Sequence, residues 1–278
     1  MTFNKPIAAA LIFFSLSGAA YGAINSDSNA KEIRELKKKI TKMQATDTSS
    51  AAMSEVYYKH KMAISQVNVA KKVAAYETYL FLERNGTRRS MSEITKIVDV
   101  AWECSWIFTD LGDDHMERFQ RILEWCKGET NFKGNVVARW KKGQYIKSLN
   151  LTVKKDTVDY GAWQINGDNL GYAKGVYSLY KSGVIPFKIV RVKTPEDLFD
   201  IPTNCVVRCA IETDRKALGW EWKHHARPND RAYLKYVAKK LKDLEREGLY
   251  DESLVSKYYK LVPSKRYVAK KTQTKGVK

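Results

Sequence analysis

Glu129, in "LEWCKGETNF", and Asp159, in "DYGAWQIN", are carboxylates thirty positions apart in very different company. Glu129 stands at the C-terminal end of an amphipathic stretch, with Trp125 and Phe132 nearby in sequence and no basic residue in the three positions that follow. Such surroundings desolvate the ionised form, raise the pKa and keep a proton available near neutrality, as a general acid requires. The competing reading is a surface glutamate near a helix end, the commoner fate of that residue type. Asp159 opens a segment that also holds Gly161, Gln164 and Asn166. Buried amides and carboxylates need partners, so the segment is either a polar turn or the wall of a ligand cleft. A helix-end acid facing a sheet-borne carboxylate across a groove suits cleavage of a glycosidic bond. One group protonates the leaving oxygen, and the other carries charge or activates a nucleophile at the sugar ring. Gln164 and Asn166 would meet sugar hydroxyl and acetamido groups, and Gly161 would let a ligand or another segment approach the backbone.

The two stretches together resemble the lysozyme-like superfamily, which includes animal-type lysozymes and bacterial soluble lytic transglycosylases. The family's catalytic glutamate ends a helix beside a small hydroxyl residue and just before an aromatic one, and Glu129, Thr130 and Phe132 match that order. Its second motif is similar to Gly161, Gln164, Ile165 and Asn166, with Asp159 where animal-type lysozymes carry their second carboxylate. A late segment, "WKHHARPNDRAYLKYV", resembles the part of the family that closes the cleft. Trp222, Tyr233 and Tyr236 are its aromatic candidates, and Tyr233 is preferred. The likeness runs from about Ser92 to Val262. Thr130 replaces the serine usual in transglycosylases, and the late segment lacks their common Tyr-Asn-Ala-Gly pattern. The resemblance implies Glu129 and Asp159 as catalytic residues, and Thr130, Tyr160, Gly161, Gln164, Asn166 and Tyr233 as substrate-binding ones. It implies no cofactor and no metal. The implied activity is cleavage of peptidoglycan between N-acetylmuramic acid and N-acetylglucosamine. Transglycosylase action by Glu129 is preferred over hydrolysis using Glu129 and Asp159, and a non-enzymatic glycan-binding assembly module is the rival from another class.

Stepping outward, the net charge of +18 calls for a polyanionic partner: nucleic acid, acidic lipid or the anionic bacterial cell wall. Lys and Arg are scattered rather than gathered around a nucleic-acid motif, so no specific nucleic-acid partner is expected. Lys5, the apolar run from Pro6 to Ala20 and the small residues of "GAAYGA" have the layout of a secretory signal, with cleavage after Gly22 or Ala23. The run is short for a membrane span, and no later stretch is long enough, so no transmembrane segment is expected after cleavage. Export to the periplasm or medium makes Cys104, Cys126, Cys205 and Cys209 readable as a disulfide set, with three pairings open. A zinc site from Cys205, Cys209, His224 and His225 is disfavoured, because adjacent histidines rarely converge on one ion.

The elements that must position these groups follow from periodicity. Ile33, Leu36, Ile40 and Met43 make a short heptad seam on a charged helix, either a single amphipathic helix or a short coiled coil. Helices are expected over about Met53–Glu83, Ile94–Phe108, His115–Lys127, Leu170–Lys181, Asn204–Lys216 and Arg231–Glu247. Two or three short strands fall between Val136 and Asp168, where the pattern alternates. The fold class is therefore α+β: a mostly helical, lysozyme-like domain with a small antiparallel sheet, preceded by a helical extension. The expected organisation is a signal peptide over 1–23, the extension over 24–90, where a secretion or phage assembly would dock, the catalytic domain over 91–262 and a basic tail over 263–278.

Overall fold

Alternating three- and four-residue apolar steps give the first helix of the computed structural model, α1 (Ser26–Gln44), where Ile33, Leu36 and Ile40 are buried and the charged residues between them face water. The structure describes residues 26–45, 49–146, 151–217 and 228–261. The expected signal peptide, the basic tail, Trp222, His224 and His225 lie outside those residues. Among the described residues, no helix is long and apolar enough to cross a membrane.

The chain divides into two units, Met1–Ser65 and Gln66–Lys278, and the division falls inside one long helix, α2 (Ser49–Arg84). In the first unit α1 and the start of α2 form an antiparallel hairpin. Its ties are Gln44 to Glu55 at 3.3 Å, Lys39 over the Tyr58 ring at 5.5 Å and Lys61 to Glu32 at 3.5 Å. The second unit takes in the C-terminal half of α2, which the sequence pattern alone grouped with the extension. That half carries buried Val67, Val69, Ala70, Ala74, Ala75 and Leu82, so it belongs to the core of the larger unit.

Among the described residues that unit also holds α3 (Met91–Ile107), α4 (His115–Thr130), α5 (Leu170–Lys181), α6 (Ile201–Ala217), α7 (Pro228–Arg246) and the short α8 (Glu252–Leu261). Helix α3 packs on both α4 and α6, and α7 lies against α4. Ser90 starts α3 by accepting a hydrogen bond from the Glu93 backbone at 3.1 Å, and Asp114 starts α4 by accepting from Glu117 at 2.7 Å. The sequence pattern did not mark α8. Its buried Val255 and the hydrogen bond that the Asp251 backbone N–H donates to the Gln66 side-chain Oε1 at 3.0 Å dock it through tertiary contacts rather than through a long apolar stripe.

The fold is α+β, as its pattern required. Between α4 and α5 run β1 (Val137–Trp140), β2 (Tyr145–Ile146), β3 (Leu151–Thr152), β4 (Thr157–Tyr160) and β5 (Ile165–Asn166). Strands β1, β4 and β5 form an antiparallel sheet with β4 in the middle, and β2 pairs with β3. The register sets Asp159 opposite Ala138 on one side and Asn166 on the other. The largest core side chains include Trp102, Trp163, Phe108, Phe119 and Phe132.

Candidate active site

Helix α4 ends abruptly, and that ending aims Glu129. Asn131 turns left-handed at φ 54°, and Phe132 follows at φ 61°, two successive non-glycine residues in a region that costs side chains energy. Burial of the Phe132 ring holds the turn, and Arg89 Nε donates to the Asn131 carbonyl at 3.0 Å. One residue before the end of the helix, Glu129 keeps 24% of its side-chain surface exposed. Burial raises its pKa above the usual carboxylate range. Arg208 pulls the other way, and Asp159 and Glu212 add to the rise.

Asp159 is held from two sides of the sheet. Asn166, its cross-strand partner, donates Nδ2 to Oδ1 at 2.8 Å. Trp140, the diagonal neighbour on β1, donates Nε1 to Oδ2 at 2.9 Å. Burial raises this carboxyl too, while the bonds from Trp140 and Asn166 and the charge of Arg208 oppose the rise. The two carboxylates therefore sense each other, and both sense one guanidinium.

Arg208, on α6, was not singled out by sequence. Its Nη2 lies 3.6 Å from Glu129 Oε1, its Nε lies 2.9 Å from Glu212 Oε1, and its Nη1 donates to the Trp163 carbonyl at 2.9 Å. The guanidinium also sits 5.6 Å from the centre of the Trp125 ring. Asn204, one turn earlier, accepts from the Trp163 backbone at 2.8 Å and donates to the Tyr160 carbonyl at 2.9 Å. The signal was legible in retrospect. Asn204, Arg208 and Glu212 recur every fourth residue in "NCVVRCAIE", a polar line down a helix face whose other members are buried.

Thr130, Tyr160, Gly161, Gln164 and Asn166 lie along one segment, and most of their polar groups find partners inside the protein. The Thr130 hydroxyl is buried, donates to the Ala162 carbonyl at 2.9 Å and to the Cys126 carbonyl at 3.2 Å, and so pins the "DYGAWQIN" segment to the end of α4. Gln164 directs Nε2 to the carbonyls of Gly161 at 2.7 Å and Val136 at 3.3 Å. Besides holding Asp159, Asn166 accepts from the Asp168 backbone at 2.9 Å. Tyr160 is half-buried, with its ring 6.2 Å from that of Phe199. At Gly161 the backbone has φ +79°, and a Cβ would stand 2.4 Å from both Asn204 Nδ2 and the Leu198 carbonyl. The close approach that this glycine permits is to α6 and its preceding turn.

Tyr233 lies elsewhere. It is fully buried on α7, its hydroxyl shares a hydrogen bond with Thr78 at 2.7 Å, and its ring packs on Phe81 and Phe132. Both an open cleft and a core can use a tyrosine on a helix, and here the Thr78 hydroxyl satisfies the phenol and the core takes the ring. Tyr236 bonds Glu77 on the same pair of helices. A recess of about 190 Å³ lined by Phe81, Leu82, Asn85, Thr87, Lys127 and Asn131 opens on the other face of α4 from Glu129.

All four cysteines are buried, and the structure holds them as thiols. Cys104, Cys205 and Cys209 cluster with their sulfurs within 4.8 Å of one another, and Cys126 is not among them. Comparison with protein-family models, curated proteins and solved structures gave no match.

Proposed function

We propose that this protein is an exported lytic transglycosylase that cleaves the peptidoglycan strand between N-acetylmuramic acid and N-acetylglucosamine, with Glu129 as the general acid and base. The observation that carries the reading is the setting of Glu129. It is a mostly buried carboxyl with a raised pKa at a helix end, adjoined by Arg208 and electrostatically coupled to the sheet-borne Asp159. Burial favours the protonated form of a carboxyl so placed, and that proton can pass to the glycosidic oxygen as the bond to the anomeric carbon breaks. The resulting carboxylate is stabilised by Arg208. It then takes the proton of the muramyl C6 hydroxyl, whose oxygen closes on the anomeric carbon to give an anhydro end. No water is consumed, and Glu129 ends the cycle protonated as it began.

Asp159 supports the same step by its charge. Both its oxygens accept hydrogen bonds from side chains of neighbouring strands, a held electrostatic partner for the positive sugar ring of the transition state. A hydrolytic lysozyme would use the same two groups and differ in the nucleophile. The reading includes docking of the helical extension on a secretion or phage assembly, whose chemistry the extension does not specify.

The test is product mass. Purified peptidoglycan digested by the wild-type protein should release anhydro muropeptides, lighter by one water than their reducing counterparts. Glu129→Gln keeps size and fold and removes the ionisable proton, so turnover should fall on the order of a thousandfold. Near-normal turnover in that variant would remove Glu129 from the reaction, and reducing ends from the wild type would convert the assignment to a lysozyme.

A further inference from the structure

The cysteine trio stands immediately behind the site. Cys104 comes from α3, and Cys205 and Cys209 come from α6, flanking the Arg208 that faces Glu129 and following the Asn204 that holds the Trp163 turn. All three are fully buried. Across the two helices Cys205 Sγ stands 3.7 Å from Cys104 Sγ, within hydrogen-bond reach. We propose that Cys104 and Cys205 form a disulfide that staples α3 to α6 and fixes the wall carrying Asn204 and Arg208, leaving Cys209 and Cys126 as thiols.

Geometry selects the pair. Cys205 and Cys209 are four residues apart on one helix face, where Cβ atoms stand about 5–6 Å apart. A disulfide needs its Cβ atoms about 3.5–4.5 Å apart, so that pairing would require α6 to distort. Cys104 is thus one end of any bond within the trio, and Cys205 Sγ, 3.7 Å away, is placed to be the other. The 3.7 Å gap must close to about 2.05 Å, a movement within reach of χ1 adjustments on two facing helices.

The surroundings favour a disulfide over a metal ion. Three thiols offer three donors, and among the described residues no fourth ligand joins them. A metal would also require three thiolates. Burial drives the Cys104 and Cys205 thiols well up and keeps them neutral. Cys209 stands apart: burial pushes it upward, but the two neighbouring thiols that donate to it and the charge of Arg208 bring it down to about 6. Joining the two neutral sulfurs puts no new charge in the core; it removes the two S–H groups that lower Cys209, whose thiol burial then raises against the charge of Arg208 alone.

The reaction balances by thiol–disulfide exchange. Cys104 and Cys205 each lose a proton and together two electrons as the S–S bond forms, and a glutathione-type or protein disulfide is reduced to two thiols. An oxidising compartment supplies such partners. The sulfurs are reached while the chain folds, before α3 and α6 close over them. None of this depends on the glycan reaction, and the test does not use it.

The reduced full-length chain should be refolded with glutathione disulfide, alkylated without reduction and digested with trypsin. Cleavage after Arg208 separates Cys205 from Cys209, so the two candidate links differ in mass. The expected product joins the peptide holding Cys104 to the peptide holding Cys205, and it persists in Cys209→Ser. Because the bond closes a loop of about 100 residues, the oxidised protein should melt on the order of 10 °C above its reduced form. Free thiols at all three positions after oxidation, a link to Cys209 or Cys126, or one equivalent of metal held by the trio would each overturn the proposal.

Discussion

Arg208 is the residue whose charge most directly opposes the desolvation of Glu129, and that makes its effect measurable. It faces Glu129 at 3.6 Å and is itself only 5% exposed, so solvent screens the interaction poorly. A cation there favours the carboxylate and holds the pKa below what burial alone would give. In the proposed reaction Glu129 must start protonated, so activity should fall as pH rises through its pKa. Arg208→Gln should therefore move the alkaline limb of the pH–rate profile to higher pH, and Arg208→Lys should restore much of the original position. A merely structural role would lower the rate without moving the limb. An unchanged limb in a folded Arg208→Gln protein would separate Arg208 from the titration. Asp159 offers a second measurement at this scale. If Glu129 works with an internal hydroxyl, Asp159→Asn should lose activity on the order of tenfold and still yield anhydro ends. If Asp159 bonds to the sugar, loss should be severe, and that outcome with reducing ends from the wild type would favour hydrolysis.

At the scale of elements, the site depends on how the "DYGAWQIN" segment is clamped between α4 and α6. Thr130 grips it from one side and Asn204 from the other, and Gly161 allows the contact. Gly161→Ala would put a methyl group 2.4 Å from a side-chain nitrogen and a backbone carbonyl, at a φ that alanine resists. The loss of stability should exceed about 2 kcal/mol, read as a lowered urea midpoint with an unchanged slope. A variant as stable as the wild type would mean that the segment is not clamped here. The helices were legible because their apolar stripes have the right period, as with Phe119, Ile122, Leu123 and Cys126 on α4. The end of that helix was less so, since Lys127 and Gly128 suggest a stop and the helix continues to Thr130. Burial of Phe132 outweighs the local signal. The part-buried settings of Glu129 and Asp159 were legible from their neighbours. Gln164 and Asn166 were legible as polar but not in direction, because an amide serves a sugar or a backbone equally well. Tyr233 carried no mark in sequence of the Thr78 hydroxyl that draws it inward.

For the whole molecule, the dominant property is its charge. The excess of +18 is spread over the chain, and the segment from Ser264 to Lys278 holds six basic residues and no acidic one. That segment lies outside the described residues. A polycation near an anionic wall gains local concentration before any cleft engages a strand, and the gain is not specific to a sugar. Such attraction is screened over roughly 10 Å at 0.1 M salt, so it must weaken as ionic strength rises. Deleting Ser264 to Lys278 leaves Glu129, Asp159 and Arg208 untouched. The truncated protein should bind whole cell wall several-fold more weakly at low salt, with the difference vanishing at high salt. Its cleavage of a short soluble glycan should be unchanged, because a substrate that fits the site has little length left for the tail to hold. Sedimentation of wall-bound protein across a salt series reads the first effect, and product formation from the soluble glycan reads the second. Equal binding by both forms at every salt concentration would show that wall attraction resides in the charge of the rest of the chain.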